Sequence, residues 1–319
     1  MKHSVQQGRQ QRPFPLRRSG IAGISLLALV VGITGCGGDS SSTSTGDSTV
    51  VQTDSNDGIP QRIMSLSPTH TEILFAIGAN DQVVAVDSLS NYPAEAAAVL
   101  TELSAYEPNV EAISEFQPDL VVIGDDFTGL ADQLSAIGIQ SWVSPAPTSL
   151  EEVYAQIDDL GQRVGRAEES STLIAEMRGA IDAAVAGAPE LTEPATYYHE
   201  LDDTYYSVTS NTFIGSLYGL FGLRNIADAA EDSSDYPQLS AEFIVSQNPT
   251  LIFAADTKCC GVTADSIALR PGWDALTAVV NGNVIELDDD VASRWGPRIV
   301  EYVEAIAAAI AGVLASTPS

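Results

Sequence analysis

Forty residues without a proline, 149–188, lie between Pro145 and Pro147 on one side and Pro189 on the other. Their second half, from Ala167 to Gly187, places Leu173, Ile174, Met177, Ile181 and Val185 at the spacing of a helix with one buried face. Such a helix is about 30 Å long, the width of a small domain. The chain on either side of it repeats itself. Glu111 stands seven residues before Pro118 and Glu242 seven before Pro249, and each proline is soon followed by an apolar, β-rich run. The pattern predicts two similar α/β lobes joined by one stiff helical connector.

The chain has 319 residues, enough for about two domains, and 45% are apolar, enough to give each a core. Of 14 basic side chains, five precede Ile21, so nine remain against 43 acidic ones in the rest. A surface so acidic repels nucleic acid and anionic headgroups, which excludes both as expected partners.

The first residues have a different character. Lys2, Arg9, Arg12, Arg17 and Arg18 precede an apolar run from Ile21 to Thr34, which ends at Gly35-Cys36. That run is short for a bilayer span and suits a signal peptide. Residues 37–58 are almost wholly Ser, Thr, Gly, Asp and Asn, a composition that cannot order itself by burial. The expected organisation is a signal segment at 1–36, a tether at 37–59, a first lobe at 60–148, the helical connector at 149–188 and a second lobe at 189–319.

Strands are expected in the first lobe at 62–66, 83–86, 120–124 and 141–144, with helices between them. Thr69 and Glu72 have capping-box spacing and predict the start of one of these helices. In the second lobe, strands are expected at 196–201, 205–208, 250–255 and 284–287, with a hairpin at Asp202-Asp203 and a closing helix over 297–314. Strands alternating with helices predict mostly parallel sheets, whose ligands sit beyond the carboxyl ends of the strands. The loops at those ends hold Thr69, His70, Tyr92, Tyr106, Asp125 and Phe127 in the first lobe, and Tyr206, Tyr236, Arg294 and Trp295 in the second. Six of these are aromatic, a composition suited to a large flat ligand. For Arg294, pairing with a ligand and a structural ion pair are equally open.

Several segments resemble one family. Ser65-Leu-Ser-Pro-Thr-His-Thr-Glu-Ile73, Ser90-Asn-Tyr-Pro-Ala94, Asn109-Val-Glu-Ala-Ile113, Arg270-Pro-Gly-Trp273 and Ser293-Arg-Trp-Gly-Pro-Arg-Ile299 resemble the substrate-binding proteins of ABC importers, in the branch serving cobalamin and ferric siderophores. Ile33-Thr34-Gly35-Cys36 is similar to a lipobox, which implies an acylated Cys36 and anchoring outside the cytoplasmic membrane. The resemblance implies two Rossmann-like lobes on a single rigid helix, a monomer, and a metal-chelate ligand (corrinoid first, then ferric siderophore or haem). It also implies a permease with its ATPase as partners, docked through Glu111 and Glu242. Tyr106 and Tyr236 stand where relatives that bind cobalamin tend to carry Trp.

The motifs of enzymes are missing: there is no Gly-rich phosphate loop, no Gly-x-Ser-x-Gly and no His-Glu-x-x-His. His70 and His199, one in each lobe, are expected to be ordinary polar residues rather than metal ligands, and no resident cofactor is expected. Cys259 and Cys260 remain once Cys36 is acylated. An oxidising compartment predicts a vicinal disulfide between them, while ring strain favours two free thiols.

Overall fold

The computed structural model describes residues 58–316 except Asp232. The expected signal segment, Cys36 and nearly all of the tether lie outside the described residues.

Two four-stranded sheets, parallel throughout, carry the fold. The first contains β1 (Ile63–Leu66), β2 (Val83–Val86), β3 (Leu120–Ile123) and β4 (Gln140–Val143), in the order β2-β1-β3-β4. The second contains β5 (Thr196–Glu200), β6 (Arg224–Asn225), β7 (Leu251–Ala254) and β8 (Val284–Glu286), in the order β6-β5-β7-β8. The two orders are the same, so the repeat read in the sequence is a repeat of topology. The apolar strands β1, β3 and β7 are buried at every residue, as parallel strands covered on both faces must be.

Helices cover the first sheet: α1 (Pro68–Ala76), α2 (Val110–Glu115) and α3 (Leu130–Ala136). The connector is two helices, α4 (Leu150–Arg163) and α5 (Ala167–Gly187). The second sheet carries α6 (Phe213–Gly219), α7 (Ala241–Gln247), α8 (Ala264–Ala268), α9 (Thr277–Val280), α10 (Asp289–Ser293) and α11 (Ile299–Ser316). Side chains alternate across each sheet. Ile63, Leu120, Tyr197 and Leu251 share one core with Met177 and Ile181 of α5 and with Tyr302 and Ile306 of α11. The opposite faces have cores of their own: Met64 and Val121 pack with Ile113 and Leu134, and Tyr198 and Ile252 pack with Trp273. The connector is therefore part of a core that reaches both sheets, which stiffens the link between them.

Three expectations change. The capping box at Thr69 does not form: the N-cap is Ser67 with Pro68 in the first turn, and Glu72 is turned into the protein, 2% exposed. Instead of capping its helix, its carboxylate pairs with two arginines described below. The hairpin at 202–203 is also absent. Tyr205 has φ +70°, a conformation that ends a strand, and one isolated antiparallel bridge, Tyr206 to Gln238, remains. Lastly, the connector bends between α4 and α5 at Gly165, where φ is +73°. Just before the bend, a Cβ on Gly161 would stand 2.4 Å from Ser170 Cβ, so only glycine lets the two helices touch there.

Candidate functional site

At the carboxyl ends of β1, β2 and β3 the chain leaves the sheet in three loops, and the segment of α10 and the residues after it closes over them. Together they enclose a cavity of about 300 Å³ lined by Thr69, Asp87, Tyr106, Asp125, Phe127, Asp290, Arg294 and Trp295, among others. Tyr106 is 69% exposed and Phe127 79%, so both rings stand free at its mouth.

Behind the cavity, Arg294 joins an ion-pair network whose Glu72 and Arg298 line a neighbouring groove. Arg294 Nη1 donates to Glu72 Oε1 at 2.9 Å and to Asn91 Oδ1 at 2.9 Å, and Nη2 donates to the Leu89 carbonyl at 3.1 Å and to Asp290 Oδ1 at 2.6 Å. Arg298 donates from Nε to the other oxygen of Glu72 at 3.0 Å. One buried carboxylate thus receives two guanidinium groups, and the closing segment is fastened to α1 by charge-assisted bonds. Gly296 allows the close approach: a Cβ there would stand 3.3 Å from the Thr69 carbonyl. Trp295 donates from Nε1 to Gln156 of α4 at 2.9 Å and lies edge-on to His70, with ring centroids 6.0 Å apart. Of the two readings of Arg294, the structure carries the ion pair.

The expected site residues divide into groups. Thr69, Tyr106, Asp125, Phe127, Arg294 and Trp295 surround the one cavity. His70 does not line it. It is fully buried behind the cavity, its Nδ1 is 2.8 Å from Ser67 Oγ, and burial lowers its pKa to about 4, leaving a neutral imidazole at physiological pH. Tyr92 faces a separate groove of about 710 Å³ between α1 and the start of α11, with the Arg298 guanidinium 4.2 Å above its ring. Tyr206 and Tyr236, from the second lobe, are exposed at 40% and 51% and lie outside the cavity's lining.

Tyr106 and Tyr236 are nonetheless counterparts. Each donates its backbone N–H to the hydroxyl of a serine two residues earlier, Ser104 and Ser234, at 3.1 Å in both cases. Each stands shortly before a capped helix: Asn109 caps α2 and Ser240 caps α7, both at 3.1 Å. Glu111 and Glu242 are then the second residues of these helices, and both are exposed.

His199, the other expected polar histidine, is buried with Nδ1 2.8 Å from the Tyr218 hydroxyl, and burial lowers its pKa to about 3. The two histidines belong to separate buried networks, and no group of metal-ligating side chains occurs among the described residues. The vicinal disulfide is corrected: Cys259 and Cys260 are exposed free thiols. Partial desolvation, with Cys260 and Asp289 alongside, pushes the Cys259 thiol up to about 12. The reactive thiolate is suppressed there, and an eight-membered ring would add strain.

Glu72, Asp87, Asp290 and Arg298 escaped the sequence reading of the site and its supporting network. Glu72 and Arg298 sit in segments that carry the resemblance, but nothing in either segment signals that a pair would close across 226 positions of sequence. Asp87 was more legible, because an acid directly after the apolar strand β2 satisfies the same strand-end rule that selected Asp125.

Comparison with known proteins agrees with this geometry. A family model for periplasmic binding proteins matches residues 63–291. The chain is 30% identical to an ABC transporter substrate-binding lipoprotein, YvrC of Bacillus subtilis, over 259 residues, covering 79% of this chain and 80% of that one. It is 31% identical over 257 residues to a cobalamin-binding protein of Halobacterium salinarum, covering 77% and 68%. The periplasmic heme-binding protein RhuT from Roseiflexus shares the fold, with a TM-score of 0.71 at 24% identity, covering 81% of this chain and 99% of that one. Twin parallel sheets on a helical connector, a cavity at their strand ends and these matches lead to one conclusion: the chain belongs to the periplasmic binding protein family, as an extracytoplasmic substrate receptor of the ABC-importer type with the class III fold, and not to a family of enzymes.

Proposed function

We propose that the protein captures a corrinoid between its lobes and delivers it to an ABC permease. The observation that carries this reading is the cavity itself, with Tyr106, Phe127 and Trp295 around it and Asp87, Asp125 and Asp290 in its wall. The aromatic rings offer flat apolar area with little entropy to lose, which suits a macrocycle. Among the described lining residues Arg294 is the sole cation, and its guanidinium already serves Glu72, Asn91, Leu89 and Asp290. A haem presents two carboxylates and would meet acids there without a free cation to receive them. A corrinoid presents amides. The cobalamin-binding relative supports the same choice.

A corrinoid is larger than the cavity, so it would extend beyond the mouth, with Tyr106 on one lobe and Tyr236 and Tyr206 on the other. Thr69, Asp125 and Trp295 would contact the part held inside. His70 would support the wall from behind, and Tyr92 would take no part in binding. A ferric siderophore or haem is the second reading, favoured by the fold shared with a heme-binding protein.

In this proposal a lipid on Cys36 anchors the chain, 37–59 is the tether, and the lobes span 60–148 and 189–319 as a monomer. Glu111 and Glu242 are the permease contacts, one on each lobe, where the helix N-terminus favours an exposed carboxylate. The absorption spectrum and native mass of protein purified from its host test the ligand. A corrin spectrum with a matching mass increment is expected; a haem Soret band or a ferric-complex band would overturn the corrinoid assignment.

A further inference from the structure

We propose that Asp87 is the specificity-determining acceptor of the cleft: it receives a ligand N–H, and so selects amide-bearing corrinoids over ligands that present carboxylates. The inference deepens the corrinoid reading and rests on it.

Asp87 follows β2 directly, lines the cavity, and has a side chain held in place. Its backbone N–H donates to the Ser65 carbonyl at 3.0 Å, and Oδ1 accepts from Ser90 Oγ at 2.6 Å. Ser90 Oγ is in turn 2.9 Å from Thr71 Oγ1, which donates to Ser65 Oγ at 2.9 Å. This chain of hydroxyls fixes the carboxyl plane. The other oxygen, Oδ2, is buried without a hydrogen-bond partner, in a residue 1% exposed. A buried acceptor left unpaired costs free energy in the unliganded protein, and a ligand donor removes that cost on binding. Burial raises the carboxyl pKa, against the opposing pull of the Ser90 hydroxyl, of Arg294 and of the Ser90 and Leu89 backbone N–H groups.

The chemistry of the donor follows. Oδ2 is an acceptor beside Asp125 and Asp290 in the same wall, so an N–H of a primary carboxamide or a protonated amine satisfies it. A ligand carboxylate in that place would face the carboxyl groups of Asp87, Asp125 and Asp290 together, and rejection of this kind discriminates as effectively as attraction. Corrins carry a rim of primary carboxamides and haem carries propionates, so one oxygen separates the two classes.

The test compares wild type, Asp87→Asn and Ser90→Ala. Cyanocobalamin, a corrinoid with its side-chain amides hydrolysed to carboxylates, and haemin are each titrated by intrinsic fluorescence, with thermal melts of every variant. Asp87→Asn is expected to bind cyanocobalamin about tenfold to a hundredfold more weakly, as loss of a charged hydrogen bond implies. It should bind the hydrolysed corrinoid and haemin more tightly than wild type. Ser90→Ala removes the partner of Oδ1 but keeps the acceptor, and should change affinity far less than Asp87→Asn. Unchanged cyanocobalamin affinity in Asp87→Asn overturns the proposal. So does an equal loss for all three ligands, or an equal loss in Ser90→Ala that follows a fall in melting temperature, since either is the mark of a merely structural residue. If wild type binds haemin and no corrinoid, the corrinoid reading is what fails. The haemin arm then decides Asp87: tighter haemin in Asp87→Asn supports the acceptor, and unchanged affinity removes it.

Discussion

Asp256 lies two residues beyond β7 and is the counterpart of Asp125, two residues beyond β3, but the two have opposite surroundings. Asp125 is half-buried at the cavity, whereas Asp256 is fully buried and neither of its carboxylate oxygens has a partner. Nearby, Glu200 receives both Nη groups of Arg270 at 2.6 Å, and Arg270 lies 4.7 Å above the Trp273 ring. Burial, with Glu200 alongside, pushes the Asp256 carboxyl up to about 7. The folded protein therefore holds a proton that the unfolded chain releases near pH 3.9. That contribution to stability is complete below the unfolded value and is lost as pH rises through 7. His70 and His199 act in the other direction: their pKa values are depressed by burial, so their contribution is present above about 6.5 and is lost as pH falls toward 4 and 3. Asp256→Asn mimics the protonated acid. Its melting temperature should match wild type below about pH 3.9 and exceed it by a margin that grows until about pH 7 and then levels off; a margin independent of pH would contradict this assignment. At the residue scale the sequence was legible only in part. Residue type and strand-end position were enough to select Tyr106, Asp125 and Phe127. They could not tell that His70 turns inward or that Tyr92 points into a different groove, because side-chain direction depends on contacts from α4 and α11 far along the chain.

At the scale of elements, the reading was best where apolar periodicity was strong. The strands at β1, β2, β3 and β7, and the extent of α5, lie within a residue or so of their expected bounds, because a largely buried strand or a one-faced helix writes its period into the sequence. It failed where one local signal had two uses. Thr69 and Glu72 have the spacing of a capping box, but Arg294 and Arg298 outcompete the helix terminus for the Glu72 carboxylate. The joint between α4 and α5 was also hidden, since Gly161 and Gly165 act through a close approach to Ser170 and a left-handed turn. Ser170 has no exposed surface, so a methyl group at position 161 has no room beside it. Gly161→Ala should cost about 1–3 kcal/mol, the usual penalty of overpacking. Urea unfolding measures it, and a variant as stable as wild type would show that the two helices can part without loss.

For the whole molecule, the repeated Glu–Pro spacing was the most informative feature, because duplicated topology writes the same capped helix and the same strand twice. Asn109 with Glu111, and Ser240 with Glu242, occupy corresponding positions, and both carboxylates are exposed. Two such charges, one on each lobe, suit a partner with two halves. Glu111→Arg combined with Glu242→Arg should leave folding and ligand affinity nearly unchanged while uptake through the cognate permease collapses, since like charges would then meet at the rim. Normal transport in vesicles by this double reversal would remove the docking role. What the sequence could not show was the depth of the cleft, which is set by the fastening of α10 and the following residues onto α1. The central claim is that a corrinoid is held between the lobes by tyrosines in equivalent places. Calorimetric titration of cyanocobalamin into the wild type and into Tyr106→Ala with Tyr236→Ala tests it most directly. The account predicts one ligand per chain, bound roughly tenfold or more weakly by the double variant as two ring contacts are lost; no binding by the wild type, or equal affinity in the two proteins, would contradict it.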